Sequence, residues 1–277
     1  MALNATVRRL HGDPQLEPAE TMVAINKVTM SFGAFTAVRD VDIQVGNGEF
    51  LAIVGPTGCG KSTILNAVAG LLNPAAGDIA LDGAPVKGVQ GAVGYLFQQD
   101  ALLPWKTALE NVELGLRFRG VAAKERGEKA RAWLAKVGLT GFEQRYPHQL
   151  SGGQRKRVQM AQALIVEPKV ILMDEPFSAL DIHTRHLMQN ELLRLWQEDR
   201  RSVMLITHDL EEAIALGDRV VVLSAGPASR VVKSFKVDLE RPRNVAEIKL
   251  DDRFTDLYRD IWACLRGEVE KSYARQD

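Results

Sequence analysis

The stretch Gly55, Pro56, Thr57, Gly58, Cys59, Gly60, Lys61, Ser62 and Thr63 restricts the possible folds of this chain more than any other segment. An apolar run, Phe50 to Val54, leads into it, and Ile64, Leu65, Val68, Leu71 and Leu72 follow at helical spacing. The pattern G-x-x-x-x-G-K-[ST] between a strand and a helix is a phosphate-cradling loop. Its glycines let successive backbone N–H groups turn inward towards phosphate oxygens, and the helix behind adds the positive end of its dipole. Lys61 is then placed to reach the β- and γ-phosphates of a nucleoside triphosphate, and the Ser62 hydroxyl to ligate Mg²⁺. Cys59, next to a helix N-terminus, is expected to be an activated thiol whose alkylation bound ATP would slow.

Around this loop the periodicity alternates between strand and helix. Val28, Met30 and Phe32, and then Val41, Ile43 and Val45, alternate with polar residues and predict two half-exposed strands before the loop. Pro74 to Gly77 is expected to end the helix after the loop, and Ile79 and Leu81 start a short strand before a turn at Asp82 and Gly83. Val93, Tyr95 and Phe97 alternate again. From about residue 100 to 166 the pattern is helical, with Thr107 and Glu110 spaced as a capping box and Gly138 as a helix end. Strand signals return at Val170–Met173, Ser202–Thr207 and Arg219–Leu223. The expected class is α/β, with a mostly parallel sheet core, an antiparallel β subdomain before it and a helical subdomain inserted.

Residues 1–20 read as a polar extension without the apolar core of a secretory signal. Residues 21–239 read as the nucleotide-binding domain and 240–277 as a helical extension. In that extension Phe254, Leu257, Tyr258, Ile261 and Leu265 form an apolar stripe, suited either to packing on its own domain or to a partner. Lys+Arg and Asp+Glu both total 35 over 277 residues, so no bulk field favours nucleic acid, and none is expected as a partner. Apolar runs fall short of the ~18–20 residues that span a bilayer. Cys59 and Cys264 alone make no disulfide framework, which fits a reducing compartment.

A second group of residues completes the chemistry. Val170–Met173 leads into Asp174 and Glu175, adjacent carboxylates at the carboxyl end of a buried strand, where parallel sheets hold their ligands. Asp174 suits Mg²⁺, and Glu175 suits the orientation of an attacking water. Ser151, Gly152, Gly153 and Gln154 read as another glycine-rich helix start, a further anion-binding terminus. One nucleotide does not need two such termini from one chain, which points to a nucleotide held by another copy. Asp181 follows the carboxylate pair, and His208 ends a strand where its imidazole can meet a γ-phosphate.

In this order the pieces resemble the ATP-binding cassette (ABC) ATPases. The Walker A motif is GPTGCGKST, the glutamine loop LFQQD, the signature LSGGQ, Walker B VILMDEP, the D-loop SALD and the switch histidine ITHD. The resemblance runs over about residues 21–239. It implies a P-loop NTPase fold and a head-to-tail homodimer in which Ser151 and Gly153 of one copy close on ATP held by Lys61 of the other. It places an aromatic residue against adenine, here Phe32, with Phe35 as the alternative. It also gives Gln98 a contact with Mg²⁺ and a relay to the helical subdomain, which holds the coupling helix of a membrane permease.

The segment Gln99 to Val112 and the Pro176–Phe177 link are similar to bacterial importers of nitrate, sulfonate and taurine. That resemblance implies an external solute-binding protein as an indirect partner and a peripheral location on the cytoplasmic face of the bacterial inner membrane. Lys156 departs from the commoner Gln, with no expected consequence. A soluble ABC-type machine and an inactive ATP-binding regulator are the competing readings. Splitting of the motifs by a coiled coil, or a paired cassette, would mark the former, and a missing Lys61, Glu175, Ser151 or His208 the latter.

Overall fold

The computed structural model describes residues 21–99 and 101–273; the predicted extension 1–20 lies outside them. The first three strands are β1 (Thr21–Phe32), β2 (Phe35–Gly46) and β3 (Phe50–Val54), and the cradle loop joins β3 to α1 (Lys61–Val68). After α1 come β4 (Ala76–Leu81), β5 (Ala84–Pro85) and β6 (Val93–Leu96). Four helices follow, α2 (Ala108–Val112), α3 (Leu114–Phe118), α4 (Ala123–Lys136) and α5 (Gly152–Leu164). The chain then alternates through β7 (Val170–Asp174), α6 (Ile182–Glu198), β8 (Ser202–Ile206), α7 (Leu210–Leu216) and β9 (Arg219–Leu223). It closes with β10 (Val231–Lys236) and α8 (Asp252–Tyr273).

The central sheet runs β10-β9-β3-β8-β7-β6, parallel throughout except for β10. Its inner strands are continuous apolar runs because both faces are covered. Alternate residues serve the two sides: Phe50, Ala52 and Val54 join the core under the helices α5–α8, whereas Leu51 and Ile53 join the core under α1 and the first sheet. That first sheet, β2-β1-β4-β5, is antiparallel and buries Val23, Ile25, Val28, Met30, Val41, Ile43 and Val45. The β4–β5 hairpin turns at Asp82 and Gly83, both at positive φ, a two-residue geometry that matches the twist of its strands.

The structure departs from expectation at the end of α1 and at β10. The helix after the cradle ends before Pro74. Gly70 takes φ +73°, its N–H donates to Ala67 O at 3.0 Å, and Leu71 N–H donates to Asn66 O at 2.9 Å. That is a left-handed helix cap, and a Cβ at Gly70 would stand 1.7 Å from Gly88 O. Leu71, read as part of the apolar stripe, is half exposed. The other difference is β10, which the sequence reading did not assign. Only Phe235 of its residues is buried, so an edge strand here shows little alternation.

In the helical region Thr107 and Glu110 exchange bonds as a capping box on α2. Gly138, at φ +71°, ends α4 by the same cap geometry as Gly70, its N–H on Ala135 O and that of Leu139 on Leu134 O. Asn111 is buried and its carboxamide binds Leu103 N and O, Lys106 O and Thr107 O. This ties down the turn that carries Trp105, which is 70% exposed. The stripe of α8 packs on its own protein: Phe254, Ile261 and Leu265 are buried in the core that also holds α7. Glu268 anchors the helix by accepting from Ala225 N at 3.0 Å.

Candidate functional site

Four segments meet at the carboxyl ends of β3, β7 and β8. In the cradle, Gly58 and Gly60 take φ +76° and +93°, and a Cβ on Gly60 would approach Val38 Cγ1 to 2.5 Å. The turn therefore favours glycine at both positions, and the packing favours it at Gly60 as well. Lys61 is buried, and its ammonium donates to Gly55 O at 2.9 Å and Pro56 O at 3.0 Å. Cys59 is fully buried and burial pushes its thiol upward, with Lys61 pulling weakly the other way. The activated, alkylable thiol expected from helix position is therefore incorrect: desolvation outweighs the helix terminus.

The cradle has a support that sequence reasoning missed. Ser229 is buried in the β9–β10 loop, and its hydroxyl donates to Cys59 O. Its backbone bonds Ala37 O and Arg39 N on β2, and Gly226 lies so close that a Cβ there would stand 3.4 Å from Gly58 O. The one signal in the sequence was the Gly226–Pro227 turn, which says nothing about what the loop touches.

At the end of β7, Asp174 hydrogen-bonds the Ser62 side chain, and burial raises its pKa while Ser62 and Lys61 pull it down. Ser62 and Asp174 offer hard oxygen donors, with the Gln98 carboxamide nearby on Glu175. No cluster of three or more His, Cys, Asp or Glu side chains suited to a metal exists among the described residues. Such a sparse oxygen set fits Mg²⁺, which keeps waters and substrate oxygens as ligands. Tyr95 stands alongside, its hydroxyl donating to Asn66 Oδ1 at 3.1 Å. Burial and then Asp174 raise its pKa.

Glu175 leaves the strand with φ +43°, its N–H held by Ile206 O at 2.9 Å. Two side chains converge on its Oε2: His208 Nδ1 at 3.0 Å and Gln98 Nε2 at 3.3 Å. Gln98 thus contacts Glu175 through its amide nitrogen, a pairing the sequence reading did not foresee. His208 faces the same carboxylate from the turn after β8.

The signature stretch lies apart from the cradle in its own chain's bonding. Ser151 and Gln154 cap α5 reciprocally, at 2.9 and 3.2 Å, and both are engaged with each other. Gly153 packs where a Cβ would meet Thr184 Cγ2 at 2.9 Å, and Gly152 faces Leu180. Asp181 caps α6 by accepting from Thr184 N at 3.0 Å, and hydrogen bonds from the Thr184 side chain and then its backbone hold its pKa low. Lys156 is buried with its ammonium on Phe97 O at 3.3 Å, so it links α5 to the residue before Gln98. A cavity of about 410 Å³ opens between Gln98, Gly152, Lys156 and Leu180. Phe32 and Phe35 sit opposite each other at the β1–β2 tip, 49% and 53% exposed, and either ring is accessible. Pro56, Thr57 and Thr63 complete the loop without side-chain bonds of their own that bear on its shape.

Residues 38–178 match the ABC transporter family. An uncharacterized ABC transporter ATP-binding protein of Methanocaldococcus jannaschii is 46% identical over 236 residues, 85% of this chain and 86% of that one. The taurine import ATP-binding protein TauB of Pseudomonas entomophila is 44% identical over 245 residues, 87% of this chain and 94% of its own length. Among solved structures, the dimeric post-hydrolysis state of the ATP-binding cassette MJ0796 bound to ADP and Pi overlays with a TM-score of 0.69. It is 34% identical and covers 79% of this chain and all of that one.

Proposed function

Since the chain belongs to the ABC transporter family and is an ATPase of that type, we propose that it powers a bacterial importer of small solutes of the taurine, sulfonate or nitrate kind. It acts as a homodimer on the cytoplasmic face of the inner membrane, docked on permease subunits that receive cargo from an external solute-binding protein. The kinship with TauB supports the solute class, and the dimeric cassette structures support the pairing. Among the described residues no helix is long and apolar enough to cross a membrane. The exposed Trp105 turn, held by Asn111, is the surface offered to the permease.

The chemistry rests on positioning and charge. Gly55 to Thr63 wrap the phosphates with backbone N–H groups, and Lys61 leaves its loop carbonyls for the β- and γ-phosphates. Phe32 or Phe35 stacks on adenine. Ser62, Asp174 and Gln98 would hold Mg²⁺, which would supply positive charge beside the phosphates. Glu175 orients the attacking water, while His208 holds that carboxylate and meets the γ-phosphate. From the second copy Ser151, Gly152, Gly153 and Gln154 bring a helix N-terminus onto the same γ-phosphate, with Asp181 at the seam. Hydrolysis releases this closure.

The convergence of His208 and Gln98 on Glu175 Oε2 supports the reading most. Its test is Glu175→Gln, expected to bind ATP normally and to hydrolyse it about 10²–10⁴-fold more slowly. Normal turnover would remove Glu175 from the mechanism. For the importer role, vesicles holding this chain with its permease should hydrolyse ATP faster when taurine- or nitrate-loaded binding protein is added. No response to either solute would reject that cargo class.

A further inference from the structure

Glu212, in the first turn of α7, is buried and has no part in the mechanism above. Its Oε1 accepts from Gln189 Nε2 on α6 at 2.8 Å, and the Thr207 side chain bonds the same carboxyl. The other half of that carboxamide, Gln189 Oε1, is buried without a partner. An ionised Glu212 offers only acceptors and cannot satisfy it. A protonated Glu212 can: its O–H donates to Gln189 Oε1 while Gln189 N–H donates back, a closed acid–amide ring.

The surroundings favour the neutral form. Burial pushes the pKa of Glu212 up to about 7, against the Thr207 and Gln189 hydrogen bonds, with Asp209 adding to the rise and Arg185 opposing it. Glu175 and His208 line the same crevice as Arg185, Asp209 and Glu212. The clasp sits behind the catalytic turn. Thr207 Oγ1 accepts from Asp209 N at 3.0 Å, and Asp209 Oδ1 accepts from the N–H of Glu211 and Glu212. From α6, Arg185 pairs with Asp209 at 3.6 Å and donates to Leu180 O at 3.0 Å. The turn that carries His208 is thus tied to α6 at two points, Gln189–Glu212 and Arg185–Asp209.

We propose that Glu212 is a positioning residue for ATP hydrolysis: as the neutral acid it clasps Gln189 and fixes the turn that directs His208 at Glu175. Ionisation sets a carboxylate against Gln189 Oε1 and draws Arg185 from its contacts, so the turn loosens and turnover falls. The proposal rests on the roles given above to Glu175 and His208.

The test compares kcat at saturating ATP between pH 6.5 and 8.5 in the wild type and Glu212→Gln. The amide keeps a donor for Gln189 Oε1 but cannot ionise. Wild-type kcat should fall about three-fold or more across this range, while the variant stays within about two-fold. The KM for ATP should hold in both. Parallel pH profiles, or a flat wild-type profile, would overturn the clasp. If the variant does not fold, infrared spectra of the unsubstituted protein decide: a buried protonated carboxyl band at pH 6.5 must vanish by pH 8.5, and its absence at both pH values sinks the idea. The dependence on the earlier reading can be separated. A fully active Glu175→Gln discards that reading, whereas an inactive one beside an unchanged Glu212→Gln pH profile discards the clasp alone.

Discussion

Ser229→Ala isolates the support beneath the nucleotide cradle. The side chain is wholly buried and its hydroxyl donates to Cys59 O, while the Ser229 backbone is pinned independently to Ala37 and Arg39. Removing the hydroxyl therefore leaves the loop in place and deprives one buried carbonyl of its donor. Such an orphaned acceptor costs about 1–3 kcal/mol. At roughly 2–4 °C per kcal/mol for a domain near this size, melting of the nucleotide-free protein should drop by about 2–12 °C. The cradle has one way to avoid the penalty, which is to shift Cys59 out of position. In that case the loss appears in ATP affinity, at about ten-fold per 1.4 kcal/mol. Differential scanning fluorimetry with and without ATP, beside a direct binding titration, measures both. Ser31→Ala, which removes an exposed hydroxyl pair with Thr36, is the control and should cost less than about 0.5 kcal/mol. A Ser229→Ala protein that melts within about 1 °C of wild type and binds ATP within about two-fold would refute the argument.

Other consequences are open to direct measurement. Ser151→Arg should retain ATP binding, since its own chain's cradle is untouched, and lose hydrolysis and ATP-dependent dimerisation; equal loss of binding would contradict a site shared between copies. Thiol labelling of the folded protein should reach Cys264, which is partly exposed, before the buried Cys59, and denaturation should release both. Rapid labelling of Cys59 in the native protein would contradict its burial. Thr107→Ala removes one arm of a capping box and should cost about 1 kcal/mol, read as a lowered melting temperature, with basal ATP hydrolysis unchanged.

Most of the core was legible because its signals are local. A glycine pattern between a strand and a helix, an apolar run ending in two acids and a capping box each carry their geometry in adjacent residues. Gly138 announced its cap in the same way. What escaped was long-range or ambiguous. The left-handed Gly70 cap that ends α1 packs so tightly on Gly88 O, 18 residues away in the chain, that no Cβ fits, while the downstream Pro74 looked like the stronger breaker. Ser229 and Cys59 meet across 170 positions, and Cys59 could not reveal its burial through its place beside a helix start. Lys156 read as a neutral substitution, yet its ammonium is buried against the carbonyl next to Gln98. Gln189 and Glu212 look like ordinary polar residues of two surface helices, and only the fold shows that they face each other inside.

Glu175 occupies a backbone conformation that suits glycine far better than a side chain with a Cβ. A screen that rewards heat resistance alone should therefore be drawn to glycine at this point, gaining comfort in the main chain while discarding the carboxylate. Given the role proposed for Glu175, laboratory evolution of a hardier variant would need a turnover requirement in the same selection, or it would converge on a sturdy protein without ATP hydrolysis.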